Sequence, residues 1–205
     1  MIFTRDQLSA GLLSELDRFE ELLRSLPSED RDTPTRCTGW SVGDVSAHMI
    51  GTMADIAAGR LEGLGTPEVT EREVAERRSS SLKELADECA EVRKATEALL
   101  PAFPEESWSQ PAPGGYDGTL ADAVEALWYD AFLHADDIRA AVGRPSELGP
   151  GLAPAISHVT TELGKLGCTP TAPSADETGM AYVLVATGRA PESAYPEPLV
   201  NIYAD

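Results

Sequence analysis

Three side chains of types that commonly bind metals lie close to one face of a predicted helix over residues 119–142. Asp130 lies four residues before His134, and Asp137 lies three residues after it, so a helix brings all three to about the same side. The remainder of that face is apolar and consists of Val124, Leu127, Ala131, Ile138 and Ala141. Because an unpaired charge buried among apolar groups costs several kcal/mol, these side chains need partners, and a divalent metal ion is one that fits.

A second histidine lies on the inward face of another predicted helix. His48 falls between Val45 and Met49. Two imidazoles and one carboxylate form a three-ligand set that leaves coordination positions for water or substrate, as catalytic zinc sites do, and helical bundles build such sites from neighbouring helices. Spacing alone leaves a simpler alternative open. Asp130 and His134 could form only a hydrogen-bonded pair, with His48 a core residue whose hydrogen bonds are satisfied.

Other reactive or aromatic side chains have weaker patterns. Cys37 precedes a predicted helix, whose N-terminus lowers the pKa of a thiol, so it could be a fourth ligand, a nucleophile or simply a small buried residue. Tyr129 and Tyr116 are the candidates for a general acid or base. The remaining side chains considered are expected to serve in packing: His158, Cys89, Trp40 and Trp128.

Composition excludes several classes of function. The 205 residues include 16 Lys and Arg against 35 Asp and Glu, a formal net charge of −19, which disfavours binding to nucleic acids or to anionic membranes. No segment has the run of apolar residues that a membrane helix needs, and the start lacks the pattern of a secretory signal. Three widely spaced cysteines do not form a disulfide framework. We therefore expect a cytoplasmic protein.

The elements that must position these residues are predicted to be helices. Apolar periodicity, capping patterns and prolines predict helices over 4–26, 41–59, 70–100, 119–142 and 152–166. A sixth short element ends near Thr187; its capping pattern favours a helix, although the β-branched run 181–186 would also suit a strand. Residues 101–118 are predicted to form a long surface loop. The fold class is all-α, with a bundle over 1–145 and a short extension over 146–205.

Two of these segments resemble signatures of a known family. Residues 35–48, which read TRCTGWSVGDVSAH, resemble the opening signature of the mycothiol-dependent maleylpyruvate isomerase family, part of the DinB-like superfamily. The spacing of Asp130, His134 and Asp137, followed by Gly143, resembles the second signature. Residues 187–191, TGRAP, look like a short motif near the C-terminus of many members, so the resemblance extends over residues 1–191.

The resemblance implies a DinB-like four-helix bundle that holds a divalent metal through His48, Asp130 and His134, with Asp137 orienting a ligand. The metal would be zinc, with nickel or iron as alternatives, and the thiol cosubstrate would be mycothiol. The isomerase itself is described with a glutamate at the position of Asp130 and with a larger C-terminal α/β domain. Since only a short segment follows the bundle here, we do not carry the maleylpyruvate substrate over to this chain.

Two functions of different classes follow from these residues. The first is a metal-dependent thiol enzyme, an S-transferase or isomerase, in which a thiol activated at the metal attacks a small electrophile. Hydrolysis is its rival among enzymes. The second is a bundle that binds a metal or a small ligand without turnover. For either function the expected partners are small molecules, and a homodimer is possible.

Overall fold

The computed structural model describes residues 3–204, and within them seven α-helices form the framework without a β-strand. In chain order these helices are α1 (Arg5–Arg24), α2 (Val42–Ala57), α3 (Pro67–Arg77), α4 (Leu82–Leu99), α5 (Leu120–Ala141), α6 (Leu152–Lys165) and α7 (Glu177–Ala186). The all-α prediction is therefore confirmed. None of the helices in this part of the chain combines the length and apolar character that crossing a membrane requires.

Side-chain caps set the starts of three helices where the sequence predicts them. In each case the hydroxyl of the N-cap residue accepts a hydrogen bond from the backbone N–H three positions later, and the side chain there accepts one from the N-cap backbone. The pairs are Thr4 with Gln7, Ser41 with Asp44, and Thr119 with Asp122. These contacts fix the first turns of α1, α2 and α5, and so the registers of the two helices that carry His48 and His134.

The single helix predicted over 70–100 is wrong, because the chain forms two helices there. Ser81 begins α4 with a capping box of its own, in which Glu84 N–H donates to the Ser81 hydroxyl at 3.2 Å. The interruption lets α3 turn back and pack against α2. The apolar seam predicted for this region survives within α4, where Leu82, Leu85, Cys89, Val92 and Thr96 are buried.

The main core lies between α1, α2, α4 and α5. Helix α1 packs against α4 and α5, and α2 packs against α4 and α5 as well. The face of α1 predicted from its leucine spacing is buried throughout, with Phe19 fully enclosed. Trp128 is buried among these helices as predicted, and its indole N–H donates to Glu15 at 3.3 Å. Helix α5 thus lies against the bundle along one side.

The C-terminal helices pack against another side of α5. Tyr129, Phe132 and Leu133 of α5 are buried against side chains of α6 and α7 in a second apolar cluster. Residues 181–186 are helical, so the strand alternative is wrong. Asp176 caps α7 by accepting hydrogen bonds from the backbone of Thr178 and Gly179. Because α5 contributes to both clusters, it joins the bundle to the extension, and the proposed boundary near residue 145 stays a prediction.

Candidate metal centre

The three predicted ligands come together where α2 faces α5. One donor atom from each of His48, Asp130 and His134 lies within 4.8 Å of the others. The centroids of the two imidazole rings are 5.4 Å apart, and the ring planes are nearly perpendicular, at 86°. Nε2 of His134 lies 3.3 Å from a carboxylate oxygen of Asp130. Residues separated by more than 80 positions in sequence therefore lie close together. Their role as metal ligands stays a prediction.

His48 is held by a carboxylate that the sequence analysis missed. Its Nδ1 lies 2.8 Å from Glu73 of α3, whose side chain is only 1% exposed, and the Thr52 hydroxyl donates to the same carboxylate. Because the carboxylate accepts the Nδ1 proton, the lone pair of Nε2 is free. Burial lowers the pKa of His48, but the hydrogen bond to Glu73 and the charges of Asp130 and Glu73 outweigh it, so this pKa is raised.

His134 is held in the same way from the other side. Its Nδ1 lies 2.9 Å from Asp137, a fully buried residue one turn further along α5. The Nδ1 proton therefore belongs to this hydrogen bond, and Nε2 is left free beside Asp130. Asp137 thus binds Nδ1 of His134, the ring nitrogen that does not face Asp130. This contact suits a residue that orients a metal ligand.

Two arginines from distant segments neutralise Asp137. Nε of Arg36 lies 2.6 Å from one carboxylate oxygen, and Arg189 donates to both oxygens at 2.8 and 2.9 Å. Burial alone would raise the pKa of Asp137, but the hydrogen bonds and charges of His134 and Arg189 lower it well below its usual range. Arg36 lies within the motif of residues 35–48, and Arg189 lies within the motif of residues 187–191. Their place in these motifs is the sequence signal that could have identified them.

Cys37 does not have the surroundings of a nucleophile. Its Sγ donates to Asp137 at 3.1 Å, and burial together with the negative charge of Asp137 raises the pKa of the thiol to about 12. The thiol is therefore protonated at neutral pH. Cys37, His134 and Asp137 also form a compact donor group. A cation there would face Arg36 and Arg189, so the donor set of His48, Asp130 and His134 fits a metal better.

Two of the three candidate ligands, His48 and Asp130, line a cavity of about 560 Å³. The cavity runs between α2, α4 and α5, and the segments 59–65 and 113–116 also line it. His158 was expected to serve in packing; its ring stacks on Tyr129 with 4.4 Å between centroids, and both line the cavity. Trp40 packs beside His48, with 5.2 Å between ring centroids. The predicted loop 101–118 contributes Phe103 and Tyr116 to the walls.

The two candidate acid–base tyrosines both line this cavity in protonated form. Burial raises the pKa of Tyr129 well above its usual value, and its hydroxyl is hydrogen-bonded to that of Tyr203 at 2.8 Å. Burial also raises the pKa of Tyr116 to about 12. At neutral pH either hydroxyl can donate a hydrogen bond or accept one, but neither is a phenolate that could act as a strong base.

Comparisons with known proteins agree with this arrangement. The family model of the mycothiol maleylpyruvate isomerase N-terminal domain matches residues 12–139, and the chain belongs to this family. The crystal structure of the mycothiol-dependent maleylpyruvate isomerase is similar with a TM-score of 0.68, and that of a histidine-to-alanine mutant with 0.65. Each comparison has 15% identity and covers 92% of this chain and 90% of the other. A search of curated proteins found no match.

The extent of these comparisons bears on the C-terminal extension. At 15% identity they show the fold alone, a DinB-like helical bundle with further helices. Because 92% of the chain takes part, most of residues 146–205 belong to the shared fold. Since 90% of the isomerase chain is matched, the large difference in the C-terminal domain that the resemblance led us to expect is not found.

Proposed function

We propose that the protein is a divalent-metal-dependent thiol enzyme, a mycothiol-dependent S-transferase or isomerase that acts on a small electrophile. The observation that carries this proposal is the convergence of His48, Asp130 and His134, with each imidazole Nδ1 already bound to a buried carboxylate. Two of the three, His48 and Asp130, line the cavity. Membership of the family supports mycothiol as the thiol.

The donor set fits a resident divalent metal. His48 and His134 would bind it through Nε2 and Asp130 through its carboxylate, a combination that suits zinc and also nickel or iron. Glu73 and Asp137 keep the two rings in the required tautomer and orientation. A divalent ion bound here would lower the pKa of a thiol at an open coordination position, so that the sulfur is nucleophilic at neutral pH.

The other residues supply surroundings suited to thiol addition. Apolar side chains form most of the cavity wall, and the protonated Tyr129 can donate a hydrogen bond to a substrate oxygen but does not consume the electrophile as a phenolate. Addition of the sulfur to an activated carbon–carbon double bond forms a C–S bond, breaks the π bond and leaves a carbanion that a neighbouring carbonyl stabilises. In a transfer, this carbanion takes up a proton and the C–S bond persists. In a cis–trans isomerisation, rotation about the former double bond is followed by loss of the thiolate, which restores the π bond. In both cases the proton of the thiol must leave before attack.

A second candidate is a metal- or ligand-binding protein of this fold without turnover. The observation that favours it is that neither tyrosine at the cavity is a base at neutral pH. Hydrolysis is the closest alternative among enzymes. A cytoplasmic location and a homodimer stay predictions from the sequence.

Metal content tests the proposal directly. We expect about one zinc, nickel or iron ion per chain in the purified protein and no bound ion in His134→Ala. The content should be unchanged in His158→Ala, because this ring lines the cavity but does not belong to the donor group. Elemental analysis of the three proteins, prepared identically, gives the answer. If the unmodified protein holds no metal even after incubation with an excess of each ion, the proposal fails.

A positive metal result leads to an assay of turnover. The rate at which a model electrophile disappears is compared in the presence of thiol alone, thiol with protein, and thiol with His134→Ala. An enzyme accelerates the loss of the electrophile only with the unmodified protein. A bound metal without acceleration for any electrophile supports the second candidate.

A further inference from the structure

The cavity beside the candidate metal centre has walls without fixed positive charge. Among the described residues that line it there is no arginine or lysine, whereas Asp130 contributes a carboxylate. Apolar side chains make up most of the surface, including Leu12, Met53, Ile56, Phe103, Val124 and Leu127. A carboxylate on a ligand would lose its hydration in this cavity and find no counter-charge on the walls.

Basic side chains around the cavity are engaged in ion pairs. Lys165, whose charge acts on the cavity-lining Tyr116 and His158, is bound to Asp117 and Glu162. Arg36 and Arg189 are bound to Asp137 behind His134. Arg60 and Arg72 are paired with the buried Asp55 and line an adjoining cleft, which shares Gly59 and Leu61 with the cavity. Since each of these guanidinium groups already helps to neutralise a buried carboxylate, turning one toward a ligand would leave that carboxylate with one fewer partner.

A metal ion in the site does not supply the missing charge. The two positive charges of the ion are offset by one from Asp130 and one from the thiolate, while the imidazoles are neutral. A free carboxylate of the electrophile would therefore meet a centre with no net charge. The remaining polar features of the cavity, such as the stacked rings of His158 and Tyr129, are typical of a surface that accepts flat uncharged groups.

We infer that the electrophile of this protein is a neutral and largely apolar molecule, with room for an aromatic or alkyl body, and not a carboxylate or dicarboxylate. This inference rests on the proposed function, since it names the class of substrate of the same site. The name of the similar isomerase refers to a carboxylate substrate, so the charge of the cavity walls would separate this chain from it in specificity.

Ligand binding to the metal-free, thiol-free protein tests the inference without activity. Benzophenone and para-benzoylbenzoate are an unreactive matched pair that differs by one carboxylate. Calorimetric titration, or saturation-transfer NMR for weak binding, should show that benzophenone binds at least about tenfold more tightly. Equal or tighter binding of the carboxylate overturns the inference, and so does the absence of binding by either compound.

Two pairs of variants show where the probes bind. Leu64→Arg adds a positive charge at the cavity wall, and Leu148→Arg adds the same charge at an exposed position away from it. We expect only Leu64→Arg to increase the affinity for para-benzoylbenzoate, by about tenfold. Ala126→Phe fills part of the cavity and should weaken the binding of benzophenone. Ala140→Phe, on the exposed side of α5, should leave this binding unchanged. Undiminished benzophenone binding to Ala126→Phe would place the ligand elsewhere and overturn the inference.

The outcomes separate this inference from the proposed function. If the protein holds no metal but still prefers benzophenone, the proposed enzyme fails and the preference of the cavity for neutral ligands stands. If the metal is bound and lost in His134→Ala, but the carboxylate binds at least as well as benzophenone, the metal site stands and the substrate class inferred here is wrong.

Discussion

Glu73 and Asp137 have equivalent roles toward two histidines from different helices. Each is a buried carboxylate that accepts a hydrogen bond from Nδ1, at 2.8 Å for His48 and 2.9 Å for His134. Both rings are thereby fixed with Nε2 toward Asp130. A ligand set held in advance loses less conformational freedom when it binds a metal than one that must be ordered on binding.

Removing the carboxylate behind His48 should weaken metal binding. Glu73→Gln keeps the size of the side chain but removes the charge that orients the ring, and we expect zinc affinity to fall by about 10- to 100-fold. Competition with a chromophoric chelator measures this change. Glu76→Gln is the matched control, because that side chain is 49% exposed on the same helix. Equal affinities for the two variants would contradict the role of Glu73.

A variant of Cys37 tests whether its thiol takes part in the chemistry, a role that the sequence left open. Because burial and Asp137 raise the pKa of its thiol to about 12, Cys37→Ser should keep both metal content and any thiol-transfer rate, since the serine hydroxyl can still donate to Asp137. Iodoacetamide should label Cys37 slowly at neutral pH in the unmodified protein, as mass spectrometry would detect. Loss of activity in Cys37→Ser with the metal retained would make this thiol part of the chemistry.

At the scale of elements, the close approach of α2 and α3 places Glu73. A Cβ atom added to Gly51 of α2 would lie 2.6 Å from Cβ of Glu73 and 3.0 Å from Nη1 of Arg77. Glycine is therefore required there for the two helices to pack at this distance. The same contact explains why the break between α3 and α4 matters, since one continuous helix could not fold back against α2.

Gly51→Ala should destabilise the protein and disturb the metal centre together. We expect a loss of about 1–3 kcal/mol in the free energy of unfolding, because neither backbone nor the buried Glu73 can yield easily. Gly164→Ala in α6 is the control: its added methyl meets nothing within 4 Å, and it should stabilise the helix by up to about 1 kcal/mol. Urea denaturation of both variants measures these values. A neutral Gly51→Ala would mean that α3 can move away from α2.

At the scale of the whole molecule, Asp137 ties together three parts of the chain. Arg36 reaches it from the segment before α2 and Arg189 from the segment after α7, while Asp137 itself lies in α5. The charge of a fully buried carboxylate is stable only with such partners. The C-terminal segment is thus fixed to the bundle directly behind the candidate metal ligand His134.

Arg189→Ala should therefore lower the free energy of unfolding by more than the removal of an exposed charged side chain would. Leaving the buried Asp137 with one fewer partner should lower the free energy of unfolding by about 3 kcal/mol. In the double variant Arg189→Ala with Asp137→Asn the two losses should be less than additive, because the uncompensated charge is removed as well. Chemical denaturation of the single and double variants tests this coupling. Strict additivity would show that the two side chains do not depend on each other.

The sequence by itself determined most helices and the set of candidate ligands. Apolar periodicity and the hydroxyl caps at Thr4, Ser41 and Thr119 act over a few residues, so they can be read directly from the chain. The same holds for Asp130 and His134, whose spacing of four residues fixes a common face. The capping box at Ser81 is as local as the others, and the single helix predicted over residues 70–100 overlooks it.

Only the tertiary structure decided what supports these ligands. Arg36 and Arg189 lie 101 and 52 residues from Asp137, and Glu73 lies 25 residues from His48. No periodicity links such positions, because their contact depends on how α3 and the two terminal segments pack on the bundle. The lack of fixed positive charge on the cavity walls has the same reason. Which arginines pair with buried carboxylates, and so do not line the cavity, is a property of packing over long distances in the chain.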